Sequence, residues 1–200
     1  ERLTTNNVFD TALEQPFVTH ELYDADSDKV LNMMRHLGIA NAPIDKVKLI
    51  LVPCYLNGSD GIVDMPYYDV VLGNDLCIYP SYYEPWGYTP LEAVAFKVPC
   101  ITTDLAGFGL WANQQKGRYC EITDGVKVIH RIDNNYFEVA DSIKQTIKEY
   151  AAMDKITVEK CRANAQKLSK KALWREFIQA YKTAYDIAIK NRDVRLRERE

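Results

Sequence analysis

Two carboxylates separated by a tryptophan–glycine pair are the residues best placed to do chemistry in this chain. They lie in the run Tyr82-Tyr83-Glu84-Pro85-Trp86-Gly87-Tyr88-Thr89-Pro90-Leu91-Glu92. Glu84 falls in a loop, whereas Glu92 falls in the first turn of a helix. Thr89 suits the N-cap, Pro90 the first helical position, and Glu92 comes three residues after the cap, which is capping-box spacing. A helix that begins after a strand and a glycine-containing loop presents backbone N–H groups and a positive dipole end, and both favour a phosphate. Leu76-Cys77-Ile78-Tyr79 supplies the strand. The run therefore reads as a site for a phosphorylated ligand, with Glu84 left to meet another part of it. On spacing alone, Glu92 is more simply a capping side chain, Glu84 a solvated loop carboxylate, and the Trp86 ring core packing.

The elements that must position this run alternate between apolar segments and helical patterns. Phe17-Val18-Thr19 is a weak strand. Residues 26–37 read as a helix capped by Asp26, Ser27 or Asp28, with Val30, Leu31, Met34 and Leu37 on one face and Gly38 at its end. Val47–Tyr55 reads as a strand covered on both faces, because Leu49 to Val52 are continuously apolar. Asn57 to Gly61 forms a loop, and Tyr67–Gly73 a short helix before the strand at 76–79. The motif helix spans Pro90 to about Lys97, followed by a strand at Pro99–Thr103 and a loop at Leu105–Gly109. A last strand, Val126–Ile132, precedes helices at about 135–152, 155–168 and 170–192. Trp174, Phe177, Ile178, Tyr181, Tyr185 and Ile189 make an apolar stripe on the last helix, most simply core. The tail Arg195–Glu200 alternates in charge and reads as a frayed end. Strands separated by helices imply parallel pairing through right-handed crossovers, hence an α/β fold with a doubly wound parallel sheet. In such sheets ligands sit beyond the carboxyl ends of the strands, where the motif also falls.

Composition narrows the function. The chain has 200 residues, 47% of them apolar, which is enough for one ordinary core over 1–200. A net charge of −3 gives no basic face for nucleic acid. Five cysteines lack zinc spacing and mostly lie beside apolar runs, so they read as buried reduced thiols of a cytoplasmic protein. No segment has the length of a membrane span. His20, His36 and His130 show no metal spacing, and His36 reads as structural. Gly107-Phe108-Gly109 lacks the dinucleotide fingerprint, which disfavours an oxidoreductase. The chain starts at Glu1 rather than methionine and reads as a piece of a longer protein.

Four segments together resemble the glycogen synthases of the animal and fungal type. They are Val18-Thr19-His20 with the acidic stretch after it, Asp45 to Ile50, Pro80 to Pro90, and Ile101 to Gly109. The resemblance implies the Rossmann-like C-terminal half of a GT-B glycosyltransferase, incomplete at its N-terminus and carrying a helical extension over about 135–192. It implies retention of configuration during transfer of glucose from UDP-glucose to an α-1,4-glucan, without a metal or other cofactor. Glu84 then corresponds to the acidic residue beside the donor glucose, and the backbones of Trp86 and Gly87 hold sugar hydroxyls. The amides of Tyr88 and Thr89 donate to the distal phosphate, and Glu92 accepts from the ribose. Tyr67 stacks on the base, with Tyr68 as the alternative one residue on. The residues by themselves leave the choice between a UDP sugar and an ADP sugar open.

Further expectations follow from that resemblance. The basic pair that clamps the diphosphate and the acceptor-binding N-terminal domain lie upstream in the family, so residues 1–200 alone are expected to be inactive. The family's arginine-rich helix for glucose 6-phosphate corresponds to Lys160–Ser169, which has Arg162 but carries Asn164 where a further arginine is expected. Activation by that sugar phosphate is accordingly not expected. The partners implied are the sugar nucleotide, the glucan acceptor and the N-terminal domain of the same protein; separately, the aromatic stripe, where exposed, would promote association into a homo-oligomer. A non-catalytic sugar-nucleotide or glucan-binding module is the competing reading.

Overall fold

The computed structural model describes residues 17–61 and 63–197. It is a mixed α/β structure with small parallel sheets and a long C-terminal helix. Contacts divide the chain into two compact units, Glu1–Val70 and Val71–Glu200.

In the first unit, β1 (Phe17–Val18) pairs in parallel with β2 (Ile50–Leu51). Between them lies α1 (Lys29–His36). Of the three candidate caps, Asp28 is the one used: its side chain accepts from the amides of Val30 and Leu31. Leu31 and Met34 are buried, while Val30, Leu37 and His36 face water. The long strand expected over Val47–Tyr55 contracts to two residues. Val47 and Ile50 are exposed, so this apolar run is not covered on both faces. Asn41 takes over pairing at its start, donating to the Leu49 carbonyl and accepting from the Leu49 amide. The next helix, α2 (Tyr67–Leu72), contains the unit boundary.

The second unit is built on a three-stranded parallel sheet in the order β3–β4–β5. Its strands are β3 (Cys77–Ile78), β4 (Cys100–Thr103) and β5 (Val126–Ile129). Central β4 is wholly buried, as expected for a strand flanked on both edges. Between the strands come α3 (Tyr88–Ala95) and α4 (Gly107–Lys116), and after them α5 (Tyr136–Ala151), α6 (Lys155–Ser169) and α7 (Trp174–Arg197). Ile101 and Ile129 pack on Val139 of α5, and Ile122 packs with Tyr150 and Cys161. Four of the five cysteines (Cys77, Cys100, Cys120 and Cys161) are buried free thiols, and Cys54 is half-buried.

Three further expectations change here. The loop over 105–109 is the entry to α4, a helix whose two glycines hid it. The final helix is interrupted by a 3-10 turn over Lys170–Ala172, after which α7 continues through Arg197, so Arg195 is helical rather than frayed. The aromatic stripe is not core: Trp174, Tyr181, Tyr185 and Ile189 are exposed, and only Phe177 and Ile178 are half-buried.

Candidate active site

The motif leaves the carboxyl end of β3 and is bound at once to the segment leaving β4. The amide of Glu84 donates to the Leu105 carbonyl at 3.1 Å, and the amide of Gly107 donates to the Glu84 carbonyl at 3.1 Å. These bonds form an isolated parallel bridge between Glu84 and Ala106. One step on, the Phe108 amide donates to the Trp86 carbonyl at 2.6 Å. The first amides of α4, which a helix cannot satisfy itself, are thus capped by carbonyls of the motif loop.

Such a close approach explains the Gly-Phe-Gly sequence. A Cβ on Gly107 would stand 2.2 Å from the Pro85 carbonyl oxygen, and one on Gly109 would stand 2.1 Å from that of Thr103. Only glycine allows α4 to start against both backbones.

The motif helix begins two residues earlier than the capping-box spacing suggests. Gly87 is the N-cap, at φ 106°, and no side chain caps α3. Thr89 is therefore the second helical residue and Pro90 the third, so the Thr89–Glu92 capping box does not form. The physical reason is that Gly87 adopts a left-handed turn that a β-branched cap cannot. Pro90 remains within the first turn, where its missing N–H is no loss. The consequence favours ligand binding, because α3 offers no internal acceptor to the amides of Tyr88 and Thr89. Tyr88 is exposed, Thr89 and Glu92 are half-buried, and Gly87 is buried against Pro90 and Phe108.

The Trp86 ring packs inside the unit. Its centroid lies 6.1 Å from Phe108, 5.8 Å from Trp111 and 5.6 Å from Phe177, edge-on to the first and last. This leaves its backbone for any ligand contact, with the carbonyl already accepting from Phe108. Glu84 is half-buried, and the Ser81 hydroxyl donates to its Oε2 at 3.2 Å. Glu84, Trp86, Gly87, Tyr88, Thr89 and Glu92 are thus held in one continuous loop-to-helix segment. Tyr67 belongs to the first unit, at the start of α2, half-buried with its ring 5.5 Å from that of Tyr68.

A second group at the carboxyl ends of β4 and β5 escaped sequence reasoning. Asp104 follows β4, and its Oδ2 lies 2.6 Å from Nδ1 of His130 and 3.0 Å from the Tyr119 hydroxyl. Its Oδ1 accepts from the Arg131 amide at 2.9 Å. Burial alone would raise the Asp104 carboxyl, but the bonds from His130, Arg131 and Tyr119 outweigh it and hold it below the usual range. Arg131 donates to the Pro80 carbonyl at 2.9 Å and lies 4.5 Å over the Tyr82 ring, whose hydroxyl donates to Asp133. This group anchors the start of the motif loop to β5. Its only sequence signal is position: Asp104 and His130 come directly after strands.

A cavity of about 900 Å³ lies elsewhere, lined by Glu121, Lys127 and side chains of α5 such as Phe137 and Lys144. No motif residue lines it, and Lys127 and Glu121 are paired with each other there. Among the described residues no group of three or more His, Cys, Asp or Glu could hold a metal ion, and no helix is long and apolar enough to cross a membrane.

The sequence matches the glycogen synthase family model over residues 7–194. This chain belongs to the glycogen synthase family. It is 36% identical over 140 residues to glycogen [starch] synthase isoform 2 of Saccharomyces cerevisiae, covering 67% of this chain and 20% of that protein. The enzyme of Neurospora crassa is 29% identical over 175 residues, covering 88% of this chain and 24% of its own length. The human liver enzyme is 35% identical over 134 residues, covering 66% and 18%. The chain therefore spans roughly a fifth of the length of these relatives.

Proposed function

We propose that this chain is the donor-binding part of a retaining glycosyltransferase that transfers glucose from UDP-glucose to an α-1,4-glucan. In this reading it belongs to one nucleotide-sugar-binding domain, the doubly wound C-terminal half of a GT-B enzyme. The observation that carries it is the start of α3. Two amides without intrahelical acceptors follow a left-handed glycine, and a half-buried carboxylate stands three residues upstream on a loop pinned by backbone bonds.

The chemistry asks for this arrangement. Cleaving the glycosyl–phosphate bond builds positive charge at the anomeric carbon and negative charge on the departing diphosphate. The amides of Tyr88 and Thr89, with the dipole of α3 behind them, stabilise the distal phosphate without reorganising. Glu84 faces the sugar and stabilises the cationic side. The backbones of Trp86 and Gly87 orient the sugar hydroxyls, and Glu92, one turn into α3, accepts from the ribose. Upstream basic residues and an acceptor domain complete the site in the whole protein.

Replacing Glu84 by alanine in the full-length protein tests this reading. Turnover should fall by roughly 10³-fold or more while the affinity for UDP-glucose changes little, as for a group acting mainly in the transition state. Unchanged turnover refutes the assignment. A full-length wild-type protein that binds the sugar nucleotide but never transfers glucose would instead be a binding module.

A further inference from the structure

Four hydrogen bonds around Glu84 close into a ring. The Thr103 hydroxyl donates to the Ser81 carbonyl at 2.6 Å, and the Ser81 hydroxyl donates to the Glu84 carboxylate at 3.2 Å. The Glu84 amide donates to the Leu105 carbonyl at 3.1 Å, and the Leu105 amide donates back to the Thr103 hydroxyl at 3.3 Å. Each of the four residues gives one bond and receives one. Thr103 is 1% exposed at the end of the wholly buried strand β4, so the ring is fastened to the buried centre of the sheet.

We propose that Thr103 and Ser81 are positioning residues that hold the Glu84 carboxylate in one rotamer, and that this pair sets the rate of glucosyl transfer rather than the affinity for the donor. The inference rests on the reading of Glu84 as the carboxylate beside the reacting sugar. A glutamate side chain has three rotatable bonds, and in an exposed loop it would sample many rotamers. Here two anchors remove that freedom: the backbone is fixed through Leu105, and the carboxylate itself through Ser81. Ser81 is in turn held at its carbonyl by Thr103. Two of the bonds meet on the Thr103 hydroxyl, which accepts from Leu105 and donates to Ser81, and these two polarise one another. Neither hydroxyl needs to touch substrate.

A purely structural role makes a different prediction, because it would lower stability and leave turnover per folded molecule unchanged. The test uses the full-length protein with four variants: Ser81→Ala, Ser81→Thr, Thr103→Ser and Glu84→Ala. For each, kcat, KM for the acceptor, the dissociation constant of UDP-glucose and the unfolding midpoint are measured. Ser81→Ala should lower kcat by roughly 10- to 100-fold, the range for a displaced catalytic group, with donor affinity within about twofold. Ser81→Thr keeps the hydroxyl and should recover most of that loss, and Thr103→Ser, which also keeps its hydroxyl, should stay close to the wild-type rate. If Ser81→Ala keeps wild-type kcat while Glu84→Ala loses it, the positioning role is overturned and Glu84 stands. If Ser81→Ala and Ser81→Thr lose the same rate, the hydroxyl is not responsible and the proposal likewise fails. If Glu84→Ala itself retains turnover, the underlying assignment of Glu84 is what has failed.

Discussion

Gly107→Ala is the sharpest probe of how α4 supports the motif. The added Cβ would stand 2.2 Å from the Pro85 carbonyl oxygen, 0.8 Å inside the 3.0 Å limit that real Cβ contacts respect, and 3.2 Å from the Trp86 Cα. The atoms in the way are backbone, so no side-chain rotation relieves the clash. Either α4 retreats or the Pro85–Trp86 segment is pushed outward, and both movements strain the Gly107-to-Glu84 and Phe108-to-Trp86 bonds. Overpacking of this kind costs about 1–3 kcal/mol, and each weakened backbone bond adds up to about 1 kcal/mol. A total near 2–4 kcal/mol is expected. Because the displacement approaches 1 Å at the residues flanking Glu84 and Gly87, kcat should fall by up to about 100-fold. Gly117→Ala is the control at the other end of the same helix. Its φ of 68° makes alanine unfavourable by about 1–2 kcal/mol, yet nothing lies within 4 Å of the new Cβ. Urea unfolding and steady-state kinetics of both variants in the full-length protein give the comparison. If Gly107→Ala proves no more damaging to turnover than Gly117→Ala, the loop does not depend on this backbone contact.

Three other outcomes are expected. Trp86→Ala should cost about 2–4 kcal/mol by emptying the cluster with Phe108, Trp111 and Phe177, whereas Trp86→Phe should cost less than half of that; near-UV circular dichroism and urea unfolding check both. Burial tends to raise Asp124, but hydrogen bonds from Arg118, Lys116 and the Glu121 amide prevail and hold its carboxyl at about 2. Since that value lies below the ordinary 3.8, the stabilisation is complete above about pH 4 and is lost as pH falls through 2; with Arg118 facing water it amounts to about 1 kcal/mol, and Asp124→Asn should flatten this part of an acid-unfolding profile. Arg162 is engaged with Asp75 at 2.8 Å, and Asn164 donates to the Thr123 carbonyl, so glucose 6-phosphate should activate the full-length protein less than about fivefold, the low end of ordinary allosteric coupling. Activation by tens of fold in a kinetic titration would contradict that expectation.

What the sequence made legible, and what it hid, divides along one physical line. Features that depend on neighbours in the chain could be read directly. The alternation of strands and helices and a cap at Asp26, Ser27 or Asp28 follow from local spacing. Features that depend on approach between distant backbones could not. Thr89, Pro90 and Glu92 spell a capping box, yet the left-handed turn at Gly87 starts α3 two residues earlier, so the box does not form. Gly107-Phe108-Gly109 looked like a turn because two glycines weaken a helix, whereas their missing side chains are what let α4 dock on Pro85 and Thr103. The Asp104–His130 pair joins residues 26 positions apart, and only the parallel register that sets Thr103 beside Ile129 brings them together. Thr103 itself read as the last residue of a strand. Its hydroxyl reaches the Ser81 carbonyl only because the sheet delivers it there. The general consequence is that the motif segment can be recognised in sequence, while the groups that bond to it, Thr103 and Arg131, come from strand ends and become visible only once the sheet is assembled.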